Sequence, residues 1–412
     1  MGFDFNQVSE ISRLSRPLVV LFLTILVNLI GFGIIIPLLP FYATTYGASP
    51  FMVGLLFASF SASQLIASPL LGAWSDRWGR RPVLILSLIG TAVSFVMLAL
   101  AQSLPMLFAA RIVDGLSGGN ITTARAYIAD VTPPEDRAKA YGFLGAAFGL
   151  GFIMGPALGG YFSRFSYTAP IWVAAMVTVA ATLLAWFWLP ETLHRTSAAS
   201  GSAWGAVRDL ASRPNLRVLL GVDFIYWMSF AVYQTTFALF GAYRFGFDAA
   251  KTGYFLSAFG VLGVIVQGGL VGPIVKRIGE RRTLTIGLLL TAIGWGGSAF
   301  TYSLPIFAFL LVPGAMGIGL CNATLSALIS HAAGPGEQGR VQGAAGALES
   351  VGRAAGPVWG NSALQHFGEA TPYAAAAVLL VGASALIGRY RPPERDVVIV
   401  TTRPRLRHEE PP

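Results

Sequence analysis

Apolar residues in this chain fall in long unbroken blocks. They lack both the alternation of a strand and the one-sided stripe of a surface helix. A hydrocarbon core of roughly 30 Å is crossed by about 20 apolar residues in a helix. Twelve blocks approach that length: 18–41, 51–73, 83–101, 105–127, 141–163, 169–189, 216–240, 250–273, 284–301, 305–329, 341–364 and 373–389. Their connections are short, except for a polar stretch near 190–215 that is rich in Ser and Ala. The pattern predicts an all-α membrane protein with twelve transmembrane helices in two pseudo-symmetric six-helix bundles. The expected units are a bundle over 1–192, a cytoplasmic linker over 193–215, a second bundle over 216–391 and a cytoplasmic tail over 392–412. The tail is rich in Pro and Arg and is expected to be disordered.

Composition agrees. Of the 412 residues, 54% are hydrophobic and only 11% are charged, against roughly 25% charged in a soluble domain. The 48 glycines and 24 prolines lie largely within apolar blocks, where packed membrane helices tolerate them. The single cysteine, Cys321, excludes an intrachain disulfide. Arg13 and Arg16 precede an apolar run that continues to Pro40, too long for a cleavable signal.

The net charge of +9 would suit nucleic acid, but its placement argues for a bilayer instead. With the N-terminus cytoplasmic, 22 of the 28 Lys and Arg fall in cytoplasmic segments or at the cytoplasmic edge of a span. Outer loops hold only Arg164, Arg244 and Lys251. This is the positive-inside asymmetry. It predicts a multi-pass protein of the plasma or inner membrane with both termini cytoplasmic. No nucleotide-binding loop of the GxxxxGK[ST] type occurs. The histidines, His194, His331, His366 and His408, lie at or beyond helix ends. Hence no catalytic residue, metal site or cofactor is expected, and energy should come from an ion gradient.

The chain also repeats itself at an offset of about 200 residues. Ser103-Leu104-Pro105 returns as Ser303-Leu304-Pro305. Gly72, Arg77, Gly79 and Arg81 return as Gly272, Arg277, Gly279 and Arg281. Gly155-Pro156 returns as Gly356-Pro357. Parallel repeats of this kind are a transporter plan, with the site at their interface near mid-membrane.

Between the second and third spans stands Gly72-Ala73-Trp74-Ser75-Asp76-Arg77-Trp78-Gly79-Arg80-Arg81-Pro82. Its glycines allow a tight turn. Asp76 can face a helix N-terminus, and Arg77, Arg80 and Arg81 can hold carboxylates, Asp130 above all. Such a cluster is a candidate latch between conformations; the plain alternative is a basic turn. On the fifth span, Gly145, Gly149, Gly151, Gly155, Gly159 and Gly160 offer a flat packing face, and Pro156 bends the helix.

These segments resemble the major facilitator superfamily over the whole chain to about Arg391. The 72–82 segment is similar to the family's signature, and Gly272–Arg282 to a degraded second copy. Arg111 with Gly115 resembles a further motif. Gly151 to Gly160 is similar to the pattern of antiporters. Pro37 and Pro40 after Gly31, Tyr127-Ile128-Ala129-Asp130 and Asp136-Arg137-Ala138 are similar to drug–proton antiporters of the tetracycline-efflux type. The resemblance implies small-molecule substrates, protons and a monomer in the bilayer. Exporters of that type carry an Asp at the position of Asn28, a His near Gly263 and an Asp near Thr291. Gln64 is retained; the three titratable groups are not, so other acids must serve coupling.

Charge within a span is costly and usually pairs or functions. The acids are Asp114, Asp223 and Glu349; the bases are Arg111, Arg125 and Arg353. Arg111 and Asp114 are three apart, and Glu349 and Arg353 four apart, so permanent ion pairs compete with proton exchange as their role. On the seventh span Asp223, Tyr226, Phe230, Tyr233, Gln234 and Phe237 form one stripe. It suits an amphipathic ligand, which needs stacking area and a few hydrogen bonds. Asn28, Gln64, Asn120, Gln267 and Asn322 add uncharged polar groups, for which interhelical hydrogen bonds are the alternative. The reading is a proton-driven exporter of small amphipathic organic molecules working by alternating access. Its rivals are a transporter of sugars or metabolites and a non-transporting receptor or scaffold.

Overall fold

The computed structural model describes residues 16–133, 136–193, 203–334 and 337–390. The tail expected over 392–412 and residues 194–202 of the expected linker lie outside the described residues. Among the described residues every regular element is helical. Lipid offers no hydrogen-bond partners, so a crossing segment must satisfy its own backbone.

Ten helical segments are long and apolar enough to cross a membrane alone. They are α1 (Arg16–Thr44), α2 (Pro50–Trp78), α3 (Arg80–Ala99), α6 (Arg137–Phe162), α7 (Ala169–Trp188), α9 (Pro214–Phe245), α10 (Ala249–Ile265) continuing into α11 (Val271–Ile278), α12 (Glu280–Phe300), α13 (Leu304–His331) and α15 (Ala370–Ile387). The two other spans fall short for physical reasons. The expected continuous helix 105–127 is broken into α4 (Leu104–Ser117) and α5 (Asn120–Val131) at Gly118 and Gly119. Gln64 on α2 satisfies the break, its Nε2 donating to the Gly118 carbonyl at 2.9 Å. α14 (Gln338–Phe367) is long enough, but Glu349, Arg353 and its glycines lower its mean hydropathy.

The twelve spans form two pseudo-symmetric six-helix bundles. In each bundle the first span packs along the fifth (α1 on α6, α9 on α14) and the third along the sixth (α3 on α7, α12 on α15). Small residues set these distances. A Cβ at Gly155 would lie 2.6 Å from the Gly33 Cα, and one at Gly356 would lie 2.6 Å from the Met228 carbonyl oxygen. The repeat extends to single hydrogen bonds. Arg81 Nη2 donates to the Trp186 carbonyl at 2.5 Å, and its counterpart Arg281 Nη2 donates to the Gly388 carbonyl at 2.6 Å.

The signature segment is not a loop, as its glycines and charges imply, but helix. α2 continues to Trp78 and α3 begins at Arg80. Only Gly79 leaves the helix, at φ +114°, and Gly279 does the same at φ +81°. A side chain is strained at such angles.

Part of the expected linker is a helix, α8 (Ala203–Leu210). Its Ala206 and Leu210 enter the core of the second bundle. Asp209 pairs with Arg340 at 2.9 Å, and Arg213 holds Glu337 through two bonds of 2.7 and 2.8 Å. The linker helix is thus tied to the second bundle. The hydrogen bond from Arg213 pulls the Glu337 carboxyl down from 4.5 to about 2.

Gly155→Val should lower thermal stability in detergent by roughly 1–3 kcal/mol, the usual cost of overpacking. Gly142→Val, at a position with nothing within 4 Å, should melt as wild type. The Glu337 clamp gives a second expectation. Because its folded pKa is depressed, its contribution is present above the unfolded value and is lost as pH falls toward 2. A spin label at Arg208→Cys should gain mobility only below about pH 4. In Glu337→Gln it should be mobile at neutral pH.

Candidate functional site

The site is built where the two bundles meet. The second span of each bundle packs on the fifth of the other: α2 on α14 and α10 on α6. Both contacts use one device. The Gly253 Cα sits against the Pro156 carbonyl, and the Gly54 Cα against the Pro357 carbonyl. Pro156 lacks an N–H, which frees carbonyl groups one turn earlier. Ser257 of α10 adds a side-chain bond across the seam, its hydroxyl donating to the Ile153 carbonyl at 2.8 Å. The Phe51 amide donates to Gln365 Oε1 at 3.0 Å, and the Arg164 guanidinium lies 5.3 Å from the Tyr254 ring centre.

The glycine face of α6 is therefore shared. Gly151, Gly155 and Gly159 press on α1, at Leu29, Gly33 and Ile34, while Gly160 presses on Ala250 and Gly253 of α10. All these cross-bundle contacts lie toward the end that carries the 45–49 and 246–248 turns. Toward the other end the seam opens. Gly142 and Gly145 of α6, Gly268 and Gly269 before α11, and Gly343 and Gly346 of α14 meet nothing within 4 Å. The open end carries the arginine-rich turns at Gly79 and Gly279 and is the basic end of the molecule.

The charges within spans divide into two sets. Arg111 and Asp114 form a direct pair on α4 at 2.6 Å, with 1% and 8% of their side chains exposed. The Arg111 guanidinium lies 4.3 Å from the Phe60 ring centre. Its Nε and Nη2 have no partner. Glu349 and Arg353, at the same kind of spacing on α14, make no ion pair within 4.0 Å. Arg353 instead lies over Trp227 of α9, 5.5 Å from the ring centre. Asp223 of α9 stands within electrostatic reach of both, and its Oδ2 is buried without a partner.

Beside this second set, Tyr226 donates to Asn322 Oδ1 at 2.8 Å and stacks on Phe230 at 6.5 Å. Trp227 meets Phe230 edge-on at 5.8 Å. The rest of the stripe is dispersed. Tyr233 lies inside the second bundle, stacked on Trp295 at 4.6 Å, and Asn120 is buried at the start of α5. Gln234 and Asn28 are partly buried, and Gln267 is exposed in the π-helical turn Val266–Leu270. Gln64 is occupied by the span-four break. Hence Asp223, Tyr226, Phe230, Asn322, Glu349 and Arg353 come together, whereas Asp114, Arg111, Asn28, Gln64, Asn120, Tyr233 and Gln267 stand apart from them.

At the basic end Arg80 bridges Asp76 and Asp130, the latter at 3.1 Å. Glu191, after α7, accepts the backbone amides of Arg80 and Arg81 at 2.8 and 3.2 Å. The cluster joins α2, α3, α5 and α7 of the first bundle.

The family model for the Major Facilitator Superfamily matches residues 21–357 and, in a second match, 268–405. The chain belongs to that superfamily. Its members move small molecules across membranes, and this one is a multi-pass membrane protein. It is 32% identical to the class C tetracycline resistance protein of Escherichia coli, over 84% of this chain and 88% of that protein. It is 30% identical to multidrug resistance protein 2 of Bacillus subtilis, over 83% and 87%. The crystal structure of the human organic anion transporter MFSD10 superposes with a TM-score of 0.71 at 26% identity, covering 90% of this chain and 99% of that one.

Trp227, Gly54, Gly253 and Glu191 escape the sequence reading. Gly54 and Gly253 obey the repeat offset to within one residue, a signal that was available. Glu191 has only its place after an apolar block. Gly54→Leu and Gly253→Leu should each block closure of the end sealed here. Cysteines introduced near Gln365 should become accessible to a membrane-impermeant thiol reagent, and transport should fall at least about tenfold, a barrier change of about 1.4 kcal/mol.

Proposed function

We propose that this superfamily member exports small amphipathic organic molecules, of the drug or multidrug type, in exchange for protons and by alternating access. The observation that carries the reading is the seam. Two bundles touch through bare backbone at one end and part at the other, over a set of charged and aromatic groups. A seam made of glycine on carbonyl can separate without stripping side chains from a core, which suits a rocking motion. The names of the relatives, tetracycline and multidrug resistance, support the substrate class.

The basic end is cytoplasmic by the positive-inside asymmetry. Both termini then face the cytoplasm of a plasma or inner membrane, and the conformation described is open inward. The transporter acts as a monomer. Glu349 and Asp223, neither in an ion pair with Arg353 within 4.0 Å, are the proton-exchange centre. Asp114, gripped by Arg111, is the second candidate. Trp227, Phe230 and Asn322, all partly exposed, offer stacking area and hydrogen bonds to a ligand, while the buried Tyr226 holds Asn322 in place. Arg80 with Asp76 and Asp130 sets the basic-end turn during cycling. The kinship to an organic anion transporter favours, as a second reading, export of an organic anion or endogenous metabolite.

Purified protein in inverted vesicles, with a pH dye inside, tests the reading. A cationic dye, tetracycline and an organic anion should be offered in turn; proton release on addition of the first two supports drug–proton antiport. Release with the anion alone selects the second reading, and none at all sinks coupled export. Glu349→Gln or Asp223→Asn should cut gradient-driven transport by about 10²-fold, as for loss of a proton-transfer group. Exchange of substrate for substrate should continue in both. Asp76→Asn should slow cycling while expression is unchanged.

A further inference from the structure

The repeat gives the two bundles matching faces toward lipid. The third and sixth spans, α3 with α7 and α12 with α15, pack within their own bundles, so their exposed apolar residues meet the bilayer. On α3 the exposed residues Pro82, Leu86, Ile89 and Val93 are three or four apart and form one stripe. On α12 the same positions are Arg282, Ile286, Leu289 and Ile293, all exposed. The neighbouring stripe of the second bundle, Val378, Val381 and Ala385 on α15, runs on to an exposed Arg389 at the basic end. Its counterpart on α7 ends in the exposed Phe187 and Trp188. At the basic end the first bundle thus closes its lipid face with proline and aromatic rings, and the second with two guanidinium groups.

Arg281 brings these two arginines together. Its Nη2 donates to the Gly388 carbonyl at 2.6 Å, and Arg282 and Arg389 are the next residues along the two chain segments so joined. Neither makes an ion pair within 4.0 Å. The charge around them differs from that of the first copy. There Arg80 binds Asp76 and Asp130, and Glu191 takes the amides of Arg80 and Arg81. In the second copy the signs are reversed: Lys276 stands at the position of Asp76, and Glu280 at that of Arg80. Glu280 is the only acid of the 272–282 segment, and His331 engages it at 3.1 Å. Arg282 and Arg389 are left as paired cations at the membrane edge with no carboxylate to hold.

We propose that Arg282 and Arg389 hold the phosphate of an anionic phospholipid from the leaflet at the basic end, with its acyl chains lying along the α12 and α15 stripes. A guanidinium suits this ligand, because its fork of N–H groups binds phosphate oxygens in pairs. Depth agrees with it. An arginine at the end of a span reaches headgroup level, while Ile286, Leu289 and Ile293 lie one to three turns deeper, in hydrocarbon. A phospholipid uses the charge and the apolar stripe together; a soluble anion uses the charge alone. An anionic lipid is preferred to a zwitterionic one because no acid beside the two arginines is free to receive an ammonium group. The site belongs to the second bundle and lies away from the seam, so it stands whatever the substrate and the direction of transport.

The test uses the full chain in phosphatidylcholine vesicles that carry a small fraction of phosphatidylglycerol brominated on its acyl chains. A fluorophore on Leu289→Cys reads the second-bundle stripe, and one on Ile89→Cys reads the first. Both positions are exposed, and the buried Cys321 stays unlabelled. Quenching at Leu289 should be half-complete at a phosphatidylglycerol fraction roughly 25-fold lower than at Ile89, about fivefold for each arginine at the surface. Arg282→Gln and Arg389→Gln should each raise that fraction about fivefold, and the double variant should behave as Ile89 does. Both side chains are exposed and unpaired, so the variants should fold as wild type. Brominated phosphatidylcholine should quench the two positions alike. Quenching at Leu289 that is unchanged in the double variant would refute the site. Equal preference there for brominated phosphatidylcholine would refute the anionic ligand. Release of the lipid by inorganic phosphate in the buffer would show a soluble-anion site and overturn the proposal.

Discussion

The structure depends on how closely helix backbones approach one another without side chains between them. In lipid, apolar side chains gain nothing by leaving the solvent, so packing and backbone contact must hold helices together. Gly33 against Gly155 and Gly356 against Met228 fix the pairs within each bundle. Gly54 against Pro357 and Gly253 against Pro156 fix the pairs between bundles. One residue type thus provides both permanent and breakable contacts. What separates them is the rest of the interface. α1 and α6 meet along much of their length, whereas α6 and α10 touch mainly toward one end.

That asymmetry leads from packing to mechanism. In the rocking motion proposed for this seam, a joint concentrated at one end would be the pivot and the wedge beyond it the pathway. Charges are tolerated in the wedge because they are spared lipid. The contrast between Arg111–Asp114 and Glu349–Arg353 follows. The first pair lies inside one bundle, where rigid neighbours press it into a 2.6 Å contact. In the second, Arg353 lies over Trp227 of α9 and makes no ion pair with Glu349 within 4.0 Å. The proton exchange proposed for Glu349 would need that freedom, which Asp114, paired within its own helix, lacks.

The linker shows the same economy. α8 is short and would not be stable as an isolated helix. It persists because Leu210 and Ala206 enter the second core and Asp209 and Arg213 engage Arg340 and Glu337. Tied in this way, α8 is part of the second bundle.

The sequence by itself determined that the chain crosses a membrane about twelve times, that it is a duplicated unit, and which end is basic. Each of these is a property of composition or register, and local hydropathy and spacing carry it. It also marked the residues of the signature and of the α6 glycine face, because special residue types stand there in fixed order. Only tertiary structure decided which of these residues meet. Spacings of three and four looked equivalent for Arg111–Asp114 and Glu349–Arg353, yet a tryptophan on another helix separates the second pair. Tyr226 and Tyr233 fell on one stripe, and helix packing buried both, the first on Asn322 and the second against Trp295. Gly54 and Gly253 read as ordinary small residues until the carbonyls of Pro357 and Pro156 came to rest on them. Contacts between residues 100 to 300 positions apart are set by how helices rotate and tilt as they pack, and no local pattern records that.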